Sequence, residues 1–226
     1  MERAILKKAQ VRMSSIADID ALVQIDHQAS IPPREVSFFD DLLEGTDTDT
    51  LTFLDAAFRC HASLWGGVDD FVLLEIDGKI AAGCSVYLAD AATASKGAFD
   101  LDRLPEVARQ LGWNDTQVET FSKSYAVMFQ SRPDFLVPQA EAIVETVAVF
   151  PEFRGRGLGH QLMQAARDRA VELGAKTLGI MAILGNDPAL RLYGKYFEPY
   201  VTYHASYFNN MIPGVTKFCT VLENES

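Results

Sequence analysis

The chain has 226 residues, 48% of them hydrophobic, which is enough to bury one substantial core, alone or with an appended subdomain. A formal net charge of −11, with no basic patch to offset it, repels polyanions and excludes nucleic acid as a partner. No segment approaches the ~18 uninterrupted apolar residues of a membrane span, and the N-terminus lacks a run of signal-peptide length, so a cytoplasmic protein is expected, away from membranes. The three cysteines, Cys60, Cys84 and Cys219, are odd in number and without C-x-x-C spacing, so they suggest neither a disulfide framework nor a zinc site, and no metal is expected.

In chain order, residues 4 to 12 read as a strand. Ser15-Ile16-Ala17-Asp18 then forms a capping box that opens a helix with Ile19, Leu22 and Val23 on its apolar stripe. Pro32-Pro33 ends that unit. A helical stretch is expected over 34 to 45, and Leu51, Leu54, Phe58, His61 and Trp65 fall at helical spacing on a third helix, which puts His61 among core positions. Gly66-Gly67 breaks it. Phe71 to Ile76 and Lys79 to Leu88, joined by Asp77-Gly78, make a hairpin. From 89 to 137 two further helices are expected, the first with Leu101, Leu104, Val107 and Leu111 on its apolar face. The second starts at the capping box Thr116-Gln117-Val118-Glu119 and carries Phe121, Tyr125 and Met128 inward.

A strand from about Gln139 through Val147-Ala148-Val149-Phe150 runs into the densest chemical signal of the chain, Arg154-Gly155-Arg156-Gly157-Leu158-Gly159. Glycines at alternate positions bring backbone N–H groups close to a ligand at the start of a helix, where the dipole favours an anion. The spacing lacks the Lys-Ser/Thr of a Walker loop and matches a dinucleotide fingerprint poorly. Leu158, Leu162, Ala165, Ala166, Arg169 and Leu173 line the following helix to a C-cap at Gly174. A buried strand spans 176 to 184, and a last helix is expected to start with Asp187 as N-cap and Pro188 as its first residue.

Arg154-x-x-Gly157-x-Gly159 after a strand resembles the acyl-coenzyme-A pyrophosphate loop of the GNAT family of N-acetyltransferases, and the order of elements from 139 to 200 matches that family. The resemblance implies a single α/β domain over 1–226, with a mixed, mostly antiparallel sheet flanked by helices. Residues 89–137 are then a helical insertion that either walls the acceptor pocket or makes a dimer contact. It implies acetyl-CoA as acyl donor, held by the backbone of Val147, Ala148 and Val149 and by Arg154, Gly155, Arg156, Gly157, Leu158 and Gly159, with Asn186 near the pantetheine or phosphate portion. It implies Tyr193 as donor to the coenzyme sulfur, the spacing Asn186-x-x-Ala189-x-x-x-Tyr193 matching the family pattern. The family often has Gly-Phe four residues after this Tyr, whereas here Tyr196-Phe197 follows and Gly194 comes early.

The implied reaction is transfer of an acetyl group to a primary amine of a small molecule or peptide, by direct attack in a ternary complex. An alkylammonium is neutral roughly once in a thousand molecules at pH 7, so a carboxylate base is needed. Glu141 and Glu145 are both candidates, about 13 Å apart at strand rise and so no close pair. Glu141 stands at the spacing from Arg154 where histone-acetylating members of the family carry their base, and Glu145 is nearer the expected thioester. Cys84 lacks a paired His for a covalent route. His160 reads as an exposed first-turn residue, and His204, among Tyr200, Tyr203 and Tyr207, as a residue of the acceptor pocket or of an aromatic strand pair. The residues also admit a longer acyl donor, or a non-catalytic acyl-CoA sensor.

Overall fold

A computed structural model describes residues 9–90, 96–129, 136–204 and 212–222. Seven strands form one sheet: β1 (Gln10–Met13), β2 (Phe71–Ile76), β3 (Lys79–Leu88), β4 (Ala142–Val149), β5 (Thr177–Ile183), β6 (Glu198–His204) and β7 (Gly214–Val221). Their spatial order is β1-β2-β3-β4-β5-β7-β6, and every neighbouring pair is antiparallel except β4 and β5. The mixed, mostly antiparallel sheet flanked by helices is thus the one expected. Tyr207 and the part of the first strand before residue 9 lie outside the described residues.

Helices cover both faces. On one lie α1 (Ile19–Ser30), α2 (Phe38–Leu42), α3 (Thr50–Arg59), α4 (Leu104–Leu111) and α5 (Asp115–Phe129). On the other lie α6 (Leu158–Glu172) and α7 (Asp187–Tyr193). The first face is an aromatic core in which Phe53, Phe58, Phe71 and Phe121 are fully buried. Each such side chain stabilises the fold by about 1.5–3 kcal/mol through removal of apolar surface from water. The second is aliphatic, with Leu162, Met163, Ala166 and Ala170 of α6 against Val72, Leu74 and Val144 of the sheet.

Several local expectations shift by a residue or more. The third helix stops at Arg59, and His61 is an exposed residue at φ 52, because the chain turns there instead of continuing the stripe. The helix expected over 34 to 45 shortens to Phe38–Leu42, with Ser37 accepting from the N–H of Phe39. At the start of α5 the reciprocal bonds join Asn114 and Gln117, each side chain taking the other's N–H at 3.0 Å, in place of Thr116 and Glu119. Asn186, one residue earlier than expected, caps α7 by accepting from the N–H of Ala189. At 77–78 the hairpin turn has both residues at positive φ, as a two-residue Asp-Gly connection demands.

Candidate active site

Two irregularities in β4 create the site. The parallel pairing with β5 covers only Ala142, Ile143 and Val144, against Leu178, Gly179 and Ile180. Beyond Val144 the two strands part, leaving the β5-facing edge of β4 open as far as Val149, whose carbonyl accepts from Arg154 Nε at 3.0 Å. On the other edge, Gly83 opposes Ala148 while Ser85 opposes Glu145, so two residues of β4 answer to Cys84 alone. This bulge holds Thr146 at φ 51, a left-handed conformation that costs a β-branched residue about 1–3 kcal/mol. Hydrogen bonds hold the strain in place. Thr146 Oγ1 donates to Ser85 Oγ at 3.2 Å, and Ser85 Oγ donates to the carbonyl of Trp65 at 2.6 Å.

The bulge resets the alternation of side chains. Val144, Val147 and Val149 face the α6 side, whereas Ala148 packs in the core on the α1 side. Glu145 faces a cavity of about 140 Å³ that threads the gap between β4 and β5 and so touches both layers of the protein. On one side of the sheet its walls are Asn186, Ala189 and Tyr193 of α7. On the other they are residues of α1, α2 and α5 together with Trp65, Leu136 and Ile212.

Three acidic groups line this space. Glu145 Oε1 is buried without a hydrogen-bond partner, and burial, with repulsion from Asp26 second, pushes its carboxyl up to about 8. Asp26, on α1 and only 5% exposed, is pushed up to about 7 by burial. Two carboxyls in one poorly solvated cavity resist simultaneous ionisation. Tyr193 is 6% exposed, and its hydroxyl makes no hydrogen bond among the described residues; burial first, then Glu145 and Cys84, raise it well above the ordinary phenol range. A phenol so shifted stays protonated at neutral pH and is a donor.

The glycine loop lies at the start of α6. Gly155 and Gly157 stand at φ 75 and 76, and the N–H groups of residues 155 to 159 have no acceptor among the described residues. Gly159 has a second reason to be glycine: a Cβ there would sit 3.0 Å from Leu192 Cδ2, so α6 and α7 approach closely at this point. Arg154 and Arg156 fold back on the loop, Arg156 donating to the Glu152 carbonyl at 3.0 Å and lying over the Phe153 ring.

Comparison with known proteins fits this geometry. The sequence profile described as Acetyltransferase (GNAT) family matches residues 123–198, which contain β4, the loop, α6, β5 and α7. Over that stretch the chain resembles the GNAT family. The N-acetyltransferase YdgE of Bacillus subtilis (strain 168), itself described as uncharacterized, is 39% identical to this chain over 62 residues, 27% of the chain and 40% of that protein's length. Among solved structures, SsHAT superposes with a TM-score of 0.61 at 18% identity, covering 96% of this chain and 100% of the other. An N-acetyltransferase from Staphylococcus aureus Mu50 gives 0.58 at 15% identity, with 94% and 100% covered. The structure of yncA from Salmonella typhimurium, solved with its cofactor acetyl-CoA, gives 0.52 at 14%, with 97% of each chain covered.

The residues expected from sequence separate into three places. Glu145, Val147, Asn186 and Tyr193 line the cavity. Arg154, Gly155, Arg156, Gly157, Leu158 and Gly159 form the loop and first turn of α6, next to the open edge at Ala148 and Val149. Glu141 stands apart from the cavity. Its Oε2 accepts from the N–H of Lys176 at 2.7 Å and its own N–H donates to Thr177 Oγ1, so its carboxylate ties β4 to the start of β5. His160 is exposed, with Nδ1 2.9 Å from the Tyr196 hydroxyl, and this contact joins α6 to the chain leaving α7 where the family's Gly-Phe is absent. Sequence reasoning missed Asp26, although the signal is present: Asp26 continues the Ile19-Leu22 stripe at helical spacing, an acid where an apolar residue belongs. Among the described residues no group of three or more His, Cys, Asp or Glu side chains could hold a metal ion.

Proposed function

We propose that the protein moves an acetyl group from acetyl-CoA to a primary amine of a small molecule or peptide, by direct attack in a ternary complex. The observation that carries this reading is the single cavity passing through the parted sheet, with Glu145 on one side and Tyr193 on the other. The open edge of β4 at Val147, Ala148 and Val149 suits the amides of a pantetheine arm, and the N–H groups of residues 155 to 159 suit a diphosphate. An amine arriving as ammonium gives its proton to Glu145. A carboxylate near 8 lies much closer to an alkylamine, at about 10.4, than an ordinary glutamate at about 4.3, and the uphill proton transfer shrinks accordingly. The neutral nitrogen then bonds to the thioester carbon, polarised by a β4 N–H, and the C–S bond breaks. Tyr193 donates its proton to the departing thiolate and is reprotonated with the proton that the new amide nitrogen sheds. The sum is ammonium plus thioester giving amide, free thiol and one released proton. Cys84 is fully buried, which raises its thiol and disfavours a thiolate nucleophile, in keeping with direct transfer.

Thiol release from acetyl-CoA in the presence of a panel of amines, read for the wild type and for Glu145→Gln, Glu141→Gln and Tyr193→Phe, tests the assignment. Loss of turnover in Glu145→Gln and Tyr193→Phe with retention in Glu141→Gln is expected. Coenzyme binding with no thiol release for any amine would favour a sensor.

A further inference from the structure

On the α1 side of the sheet the cavity has an unusual division of labour. Phe38 of α2, Trp65 and Phe129 of α5 come from three separate elements yet form one connected aromatic wall, with Phe38 and Trp65 edge to face at 5.7 Å and Trp65 and Phe129 at 6.3 Å. Leu136 and Ile212 continue it as aliphatic surface. The acidic groups lining the cavity, Asp26 and Glu145, both stand where the helix face of α1 meets β4. Arg34 also lines the space, but its guanidinium is engaged by Asp41.

Resting on the reading of this cavity as the acceptor site, we infer that the acceptor is a monocationic primary amine on an aromatic body, with Asp26 as the residue that selects its charge. The ammonium meets Asp26 and Glu145, while the ring lies against Phe38, Trp65 and Phe129. A polyamine would push a second cation into that apolar wall, where no carboxylate among the described residues answers it, and burial of an unpaired charge is disfavoured. An amino acid or peptide N-terminus would bring carbonyl or carboxylate oxygens to the same wall, with Arg34 already paired.

The test reads binding separately from turnover. Tryptophan fluorescence of the complex with unreactive coenzyme A is titrated with 2-phenylethylamine, spermidine and an alanyl peptide, and thiol release from acetyl-CoA is measured with the same three. At least tenfold tighter binding of 2-phenylethylamine is expected, with the same order in kcat/KM, and a loss of at least tenfold in that binding for Asp26→Asn. Spermidine or the peptide binding as tightly, or no saturable binding of 2-phenylethylamine, overturns the inference. Selective binding of the aromatic amine without any thiol release supports this acceptor site while refuting the transferase reading; thiol release led by spermidine does the reverse. Phe38→Asp puts an acid at the first helical position of α2, where the dipole tolerates it, and is expected to shift the binding ratio at least tenfold toward spermidine. Phe38→Leu serves as the apolar control and should leave spermidine excluded.

Discussion

Replacing Asp26 by Asn is expected to make the protein more resistant to alkaline conditions, and the size of the effect follows from the burial of this side chain. Asp26 is 5% exposed, without an ion-pair partner among the described residues, and its carboxyl is pushed from 3.8 up to about 7. In the unfolded chain it ionises near 4; in the folded chain it keeps its proton until about pH 7. Between those values the folded state binds more protons than the unfolded, so stability falls as pH rises through this window and levels off above it. At about 1.4 kcal/mol per pKa unit, the loss from this one group has a ceiling of about 4 kcal/mol. Asn is close in shape and never ionises, so it escapes the loss. Urea unfolding of the wild type and Asp26→Asn at pH 5 and pH 9 gives the comparison. Because part of this window already lies below pH 5, the variant should lead by about 1–2 kcal/mol at pH 5, and its lead should grow by about a further 2–3 kcal/mol at pH 9. A difference independent of pH, or a variant less stable at pH 9, would refute the claim that a protonated carboxyl is buried there.

In the wild type, kcat/KM should rise with pH through a limb near 7 to 8, because Glu145 must lose its proton to act as base, and this limb should move to lower pH in Asp26→Asn as the repulsion disappears. A pH–rate series on both proteins reads it. Tyr193→Phe should lower kcat by roughly 10²-fold or more, leave coenzyme affinity within about threefold, and leave stability nearly unchanged, since the hydroxyl bonds nothing among the described residues; steady-state kinetics, calorimetry and urea unfolding separate the three. Gly157→Ala forces a side chain into φ 76 at a cost of about 1–2 kcal/mol and disturbs the N–H cradle, so both unfolding midpoint and acetyl-CoA affinity should fall. A chelator should leave the rate unaffected in the same thiol-release assay.

Much of this was legible in the sequence, because the informative residues act through the backbone. Glycines at 155, 157 and 159, the Asp77-Gly78 turn and the apolar runs of β4 and β5 announce their conformations locally. The parting of β4 from β5 does not. It depends on a bulge at Thr146, a β-branched residue that nothing in its neighbourhood marks for positive φ and that is held there by Ser85, sixty-one positions away in the chain. Glu141 and Glu145 look equivalent on a strand of period two; only the neighbouring strand shows that one carboxylate caps β5 while the other faces a cavity. Asp26 was hidden for a different reason: a stripe read for its apolar members passes over the one acid among them. His61 shows the opposite error, since helical spacing was extended past the point where the chain turns.

The unzipped strands carry a wider implication. A pantetheine arm has two amides, and lying along the open rim of β4 it would serve as a surrogate eighth strand, recognised through main-chain atoms that no substitution at 147 to 149 other than proline removes. Grip on a donor held along that rim would be less exposed to side-chain substitution than the far walls, which are built from helix and loop side chains. In such a protein the choice of amine can drift without endangering the capture of the thioester.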